Sequence, residues 1–444
     1  MSCYSSRRSC VASIAIGVIL IVVAFPDRAS VVAGQDMPAA AVRELYQAAL
    51  DAYRKKDYGD YLKKIEAVAA QRPLHPTFLR RLAGAYALNG RAADTARVLR
   101  KMAALSLYYD ALDEPDFSGV RAESDVQIAT RALEALRTRR IGSSEIAWTI
   151  HDRMLIPEGI TYDSVTRAFF VSSQYKRKIV RIDPSGAIQD FVTSGRDGLG
   201  MVFGMGIDPT RRLLWAVSAA EPVMERFTKA DENATGVFAF ELPTGKLARR
   251  YELSERTAAH RFDDLTVAAN GRVFASDAGA GAVYTIAPGG TTLGMFVPPG
   301  TIQGPNGLST TPDGRSLYVS DYAGFIFRVD TVTKGVTRLP APPDAALYGI
   351  DGLAWHKGSL IGVQNGVEPS RVVQLVLSPD GSRISAARIL DMNHPRVAEP
   401  TIGVVVGDTY YYVANSFGGL LRKPNSVLAD QPLAEPVILK LRLG

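Results

Sequence analysis

The sequence predicts a mainly β chain: a six-bladed β-propeller preceded by an α-helical region. Three observations carry that expectation. Residues 304–339 read as one four-stranded antiparallel unit, five other stretches repeat it, and a spare strand-like segment lies just ahead of the first copy. In the clearest copy, apolar alternation marks strands at Leu317-Tyr318-Val319 and Phe325-Ile326-Phe327, with apolar runs at 304–309 before them and 335–339 after. A Pro-Asp-Gly turn precedes the first of these strands and Asp-Tyr-Ala-Gly separates the two. Such residues supply the φ values and local hydrogen bonds that reverse a chain.

A chain of 444 residues has room for two or three domains, and 47% hydrophobic residues can build sizeable cores. Residues 1–33 read as an export leader. Arg7 and Arg8 precede an uncharged apolar run over 11–25, and the small residues Val31 and Ala33 offer a cleavage point before Gly34. The run falls short of the roughly 20 residues that span a bilayer, so cleavage is favoured over an anchor. Ser6-Arg7-Arg8 is a partial twin-arginine pattern without the usual downstream residues. The expected location is periplasmic or extracellular, with no membrane association after cleavage. Cys3 and Cys10 leave with the leader, so the mature chain has no disulfide, thiol nucleophile or zinc thiolate. Three arginines and one aspartate leave as well, and the net charge falls from +6 to +4. No Lys/Arg block interleaved with aromatics occurs, which argues against nucleic acid as a partner.

Residues 39–140 carry apolar positions at helical spacing: Leu45, Ala48, Ala49, Ala52 and Tyr53, then Leu79, Leu82, Ala83, Tyr86 and Ala87. Ala49 and Ala83 are 34 residues apart, Pro73 sits where a helix pair should end, and Asn89-Gly90 marks a helix-to-helix turn. The pattern resembles a tetratricopeptide-like array of two or three helical hairpins, although the aromatic at the first signature position is missing. Such an array implies either a groove for a protein partner or a cap that packs on the next domain.

From Ser144 onward the apolar period becomes two. Copies of the β unit begin at Pro157, Val202, Phe262, Pro305, Ile350 and near Pro400. One copy cannot bury both of its faces. Six packed radially bury each other and leave no long free edge. Copy six lacks a fourth strand, which the spare segment 144–150 is placed to supply. Trp148, Trp215 and Trp355 fall on strand positions and read as blade packing.

The starts of the innermost strands converge on the central tunnel. The position before each first-strand glycine, or its equivalent, is Glu158, Phe203, Asp263, Asn306, Asp351 and, in copy six, Pro400 beside Glu399. Four of these six bear oxygen, three of them carboxylates, and like charges converging there repel one another unless a cation lies among them. An all-oxygen set suits Ca²⁺, Mg²⁺ or Mn²⁺. The competing reading is that Asp and Asn before Gly are only turn residues.

Pro157-Glu158-Gly159, Arg261-Phe262-Asp263-Asp264, Asn306-Gly307-Leu308 and Asp351-Gly352-Leu353 resemble, in order and in blade, the four recurrent motifs of the senescence marker protein-30/gluconolactonase-like (SGL) propellers. The resemblance covers about 156–422 and not the helical region. In that family a glutamate, two asparagines and an aspartate surround one divalent metal at the tunnel mouth. Carried over, it implies Glu158, Asn306 and Asp351 as principal ligands. Asp263 stands where the family usually has asparagine, and Arg261 stands at its substrate-contacting arginine. The extra carboxylate would tighten a cation and weaken an acidic substrate. The implied activity is metal-dependent hydrolysis of sugar or other lactones, with Ca²⁺ the first expectation and Mg²⁺, Mn²⁺ or Zn²⁺ as alternatives. Asp351 or Asp263 would be the general base, and Arg261 would orient substrate or stabilise an oxyanion. The family fixes a site better than a substrate.

Other residues carry weaker expectations. Asp277, Asp321, Asn365 and Asn415 recur at the ends of second strands and read as holders of turn backbone. His260 and His394 read as loop histidines, with a second catalytic base as the alternative. Segments 221–235 and 418–436 exceed the repeat and suit a lid or a partner surface. No G-x-S-x-G elbow, phosphate loop or dinucleotide fingerprint occurs. Two classes remain: a metal-dependent hydrolase of lactone-like small molecules, and a non-catalytic exported binding or scaffold protein.

Overall fold

The computed structural model describes residues 37–111, 113–253, 255–257, 259–421 and 433–444; the leader, its cleavage point and both cysteines lie outside them. Helices come first: α1 (Ala39–Arg54), α2 (Tyr58–Gln71), α3 (Pro76–Leu88), α4 (Ala92–Ala104) and α5 (Ser124–Glu134). The side chain of Asp57 caps α2 by accepting from the Asp60 amide at 3.0 Å. Pro76 opens α3 at its first turn, where the missing N–H costs nothing. At the α3–α4 turn Gly90 has φ +68°, a conformation that glycine adopts without Cβ strain. Each helix packs on the next, and the second helices of the two hairpins, α2 and α4, start 34 residues apart at Tyr58 and Ala92. Ala49, Tyr61, Ile65, Leu79, Ala83, Leu99 and Met102 fill the shared core. Among the described residues no helix is long and apolar enough to cross a membrane.

Six four-stranded antiparallel sheets follow. Their inner strands are Pro157–Asp163, Met201–Asp208, Phe262–Val267, Pro305–Thr310, Ile350–His356 and Gly403–Val406. The chain is a six-bladed β-propeller. Blade six takes its outermost strand, Glu145–Thr149, from ahead of blade one, paired antiparallel with Val437–Arg442. The spare strand therefore closes the ring. Inter-blade cores mix residues of neighbours, as where Phe170 of blade one meets Leu214, Phe238 and Phe240 of blade two. The three tryptophans pack on blade aromatics, with Trp148 5.6 Å from Tyr411 and Trp355 6.0 Å from Tyr318.

In blades one to five the inner strand carries one extra residue against the second strand. The slips fall between Pro157 and Ile160, Val202 and Met205, Phe262 and Leu265, Pro305 and Leu308, and Ile350 and Leu353. The residues inside them are Glu158-Gly159, Phe203-Gly204, Asp263-Asp264, Asn306-Gly307 and Asp351-Gly352. Each pair is thus a β-bulge, which re-aims a side chain and frees backbone groups from the ladder. Serines opposite the bulge satisfy those groups: Ser172 accepts from the Gly159 amide at 2.7 Å and Ser276 from the Asp264 amide at 3.0 Å. The glycines are not turn residues. A Cβ on Gly159 would sit 2.6 Å from the Phe203 carbonyl oxygen, and one on Gly307 2.6 Å from the Leu353 amide nitrogen. At these glycines the inner strands of adjacent blades approach too closely for a Cβ.

The helices dock on blades four and five. Val367 is part of the helical core, the His75 ring lies tilted 4.2 Å from that of Tyr348, and Arg72 lies over Phe325 at 4.7 Å. Tyr348 meets Tyr322 at 5.9 Å. The helical region therefore packs against the propeller.

Candidate active site at the tunnel mouth

Glu158, Asp263, Asn306 and Asp351, each from a different blade, line one cavity of about 350 Å³ together with Arg261. The three carboxylates are 9%, 7% and 7% exposed. Each accepts from a neighbouring side chain. Glu158 Oε2 accepts from Gln174 Nε2 and, at 3.3 Å, from the Ser416 hydroxyl. Asp351 Oδ2 accepts from Asn365 Nδ2 at 2.6 Å. Asp263 Oδ2 accepts from Arg261 Nη2 at 2.7 Å, while Arg261 Nη1 lies 3.8 Å from Glu221. Burial pulls the Arg261 guanidinium down, but the carboxylates of Asp263, Glu221 and Glu158 outweigh it and hold the group above its ordinary value. Arg261 is thus a permanent cation inside a ring of acids.

Below the mouth, Asp264 ties blade three to blade four. Its Oδ2 accepts from the Leu308 amide at 3.0 Å and its Oδ1 from its neighbour Leu265 at 2.8 Å. Burial raises its carboxyl well above the usual range, and the nearby Asp351 and Asp263 add to that.

Three placements differ from the sequence reading. In blade six the bulge-equivalent residue is Thr401, not Pro400. Thr401 lines the cavity and donates to the Glu158 carbonyl at 2.6 Å, and the Thr401 amide and Ile402 carbonyl both bond Val413. Phe203 does not line the mouth with its equivalents, because it packs into the core with Trp215 and Phe262. Asn365 is not a turn holder. Besides Asp351, it donates to the Pro400 carbonyl at 3.0 Å and accepts from the Tyr322 hydroxyl at 2.9 Å. Strand alternation explains the last case. Asp277 pairs with Phe262 and Asp321 with Pro305, whereas Asn365 lies one residue past Gln364, the partner of Ile350. That one-residue offset turns Asn365 into the cavity, as it does the equivalent Gln174 and Tyr322. Asp277 and Asp321 do hold loop backbone, at Arg261 and Ala280 and at Gln303, Gly304 and Ala323. Asn415 holds Val437 and Glu435.

Glu399 also lines the cavity, and both its oxygens accept from the Gly419 amide at 2.8 and 3.0 Å. Gly418 reaches the same cavity, but residues 422–432 of the long segment behind it lie outside the described residues. Neither His260 nor His394 lines it: His260 Nδ1 is 2.6 Å from Asp277, and His394 Nδ1 accepts from the Arg396 amide at 3.1 Å.

Residues 156–355 match the family model described as the SMP-30/Gluconolactonase/LRE-like region. The chain carries an SGL region. No curated protein matches. Similar solved structures include a gluconolactonase from Xanthomonas campestris, 16% identical over 69% of this chain and 91% of that one, TM-score 0.46. They also include regucalcin, a calcium-binding protein from Agrobacterium tumefaciens, 17% identical over 67% and 93%, TM-score 0.46. A luciferin-regenerating enzyme is 13% identical over 68% and 96%, TM-score 0.47.

The mouth of the SGL region offers a divalent cation oxygen donors only. Among the described residues no three His, Cys, Asp or Glu side chains come together closely enough to hold a metal ion. Asp263 is drawn into its pair with Arg261, so the donors that fit are Glu158 and Asp351 with the Asn306 amide. Two carboxylates and an amide, completed by water or substrate, suit the hard cations Ca²⁺, Mg²⁺ and Mn²⁺ better than Zn²⁺. Four carboxylates and one guanidinium line the cavity, so its charge is negative before any ion enters.

Proposed function

We propose that the protein is an exported, divalent-metal-dependent hydrolase of lactone-like small molecules, working at the tunnel mouth in the periplasm or outside the cell. The observation that carries the reading is the convergence of Glu158, Asn306 and Asp351, each on a bulge of its own blade, on one cavity with Arg261. A bound divalent cation would polarise the ester carbonyl and acidify a water. Asp351, oriented by Asn365, takes the proton of the attacking water as general base. Arg261, steadied by Asp263, donates to the oxygen on which charge develops. The blade backbone fixes all four side chains in advance, so little reorganisation accompanies the reaction.

Calorimetry with Ca²⁺ and with Mn²⁺ on the mature protein and on Asp351→Ala, followed by a lactone panel on the metal-loaded protein, tests this. Binding that is lost in the variant, with lactone opening by the parent, is the expected result. Absence of cation binding would sink the reading. Binding without hydrolysis would favour a second reading, an exported binding or scaffold protein that recruits a partner through the helical region. The helical hairpins docked beside the mouth are the observation in favour of that second reading.

A further inference from the structure

A second cavity, of about 310 Å³, lies at the joint between the helical region and blade five, apart from the mouth. Its walls come from the end of α4 (Leu105, Ser106), from Arg139 and Ile141, and from two strands of blade five. One of these strands, Arg371–Leu377, turns Arg371, Val373 and Leu375 to the same side. Arg371 is 4% exposed. Its guanidinium donates to the Leu105 and Ser106 carbonyls at 3.1 and 2.9 Å and to Gln364 Oε1 at 2.6 Å, all neutral acceptors. Among the described residues Arg371 has no carboxylate partner, and the hydrogen bonds it makes run from Nε and Nη1. Arg139 and Arg388 line the same cavity, both exposed and neither in an ion pair among the described residues. Asp344 is the one carboxylate among the lining residues.

We propose that this cavity binds a small oxyanion, inorganic phosphate or sulfate or the carboxylates of a small acid, across the joint between helices and propeller. A buried charge is costly unless paired, and here dipoles alone face it. Burial pulls Arg371 down only to about 10, so the group is charged at neutral pH. Guanidinium groups present planar donor pairs that match the oxygens of phosphate, sulfate and carboxylate. The Leu105 and Ser106 carbonyls, just past the end of α4, orient Arg371 from one side, which leaves its remaining donor and the two rim arginines for the anion. Because the cavity takes walls from both parts of the molecule, an occupant stabilises their docking.

The test uses the mature protein in a buffer free of oxyanions. Thermal unfolding and calorimetry are followed against inorganic phosphate, sulfate and succinate, with chloride at matched ionic strength as control. The rim variant Arg139→Ser/Arg388→Ser leaves the contacts of Arg371 intact and should fold like the parent by circular dichroism. The expected result is saturable binding and a raised unfolding midpoint with at least one of the three anions, weakened at least tenfold in the rim variant. Which anion binds tightest identifies the source. A response no larger than that to chloride overturns the proposal, as does binding by the rim variant equal to the parent's.

Discussion

The sharpest expectation concerns Gly307. If the glycine after each mouth residue were turn chemistry, Gly307→Ala would be harmless. Its φ is not positive, and removing a glycine shrinks unfolded-state freedom, which by itself stabilises by about 0.4–1 kcal/mol. The structure gives the opposite sign. The added methyl would sit 2.6 Å from Leu353 N and 2.7 Å from Gly352 C, against the roughly 3.5–4.0 Å of an optimal contact. Those are backbone atoms of the neighbouring inner strand, so blade five must retreat by about 1 Å at the residues that carry Asp351. Overpacking of this kind costs about 1–3 kcal/mol. The net expectation is a loss of about 1 kcal/mol, read by urea denaturation, with weakened cation binding by calorimetry. Gly119→Ala is the control, because a methyl there meets nothing within 4 Å; it should be neutral or slightly stabilising. Stability of Gly307→Ala within about 0.5 kcal/mol of the parent, with unchanged cation binding, would refute the close-approach argument.

Other expectations follow from single features. Asn365→Ala removes the donor that orients Asp351, so lactone hydrolysis should fall about tenfold through kcat, less than the hundredfold or greater loss expected of Asp351→Asn. At the opposite end of the inner strand of blade one, Asp163 accepts from Arg212 of blade two at 2.6 and 2.7 Å. Burial pushes that carboxyl up, but Arg212, the Thr166 hydroxyl and the Val165 amide outweigh it and bring it to about 2. The folded value lies below the unfolded one of about 3.9, so the bridge stabilises fully above that pH and its contribution is lost as pH falls toward 2. Arg212→Met should cost about 2 kcal/mol at pH 7 and much less near pH 2, measured by denaturation at both pH values. Finally, a chain that begins after Thr149 lacks the outer strand of blade six and should fail to fold to a cooperative unit by calorimetry, since Val437–Arg442 becomes an open edge.

The propeller was legible because its period repeats six times and each copy carries its own turn residues. Even the closing strand could be read, from one blade lacking a strand and a segment to spare. What the sequence did not reveal lay at one-residue resolution. Aligning strand ends by residue type grouped Asn365 with Asp277 and Asp321, although pleat alternation sends them to opposite sides. Blade six was misaligned by one for a similar reason: it has no glycine after its mouth residue, so Thr401-Ile402 looked unlike the other pairs. The helical region was legible as helices, but its docking was not, because the decisive contacts join residues far apart in sequence, such as Arg371 and Leu105.

The bulges also explain why the mouth residues could be found without knowing their role. An extra residue at the crowded end of an inner strand forces two things at once. One side chain leaves the regular alternation of the ladder, and the next residue is a glycine or, like Asp264, reaches across to the neighbouring blade. The recurring pair is therefore imposed by ring closure, whatever lines the cavity. Phe203-Gly204 shows this, for it keeps the bulge and the glycine while its ring serves the core. Chemistry is then read from which pairs carry an acid or amide. Four of the first five do, and Arg261 is the one cation among the lining residues. Such a mouth attracts cations and disfavours anionic substrates, and that selectivity follows from the side chains alone.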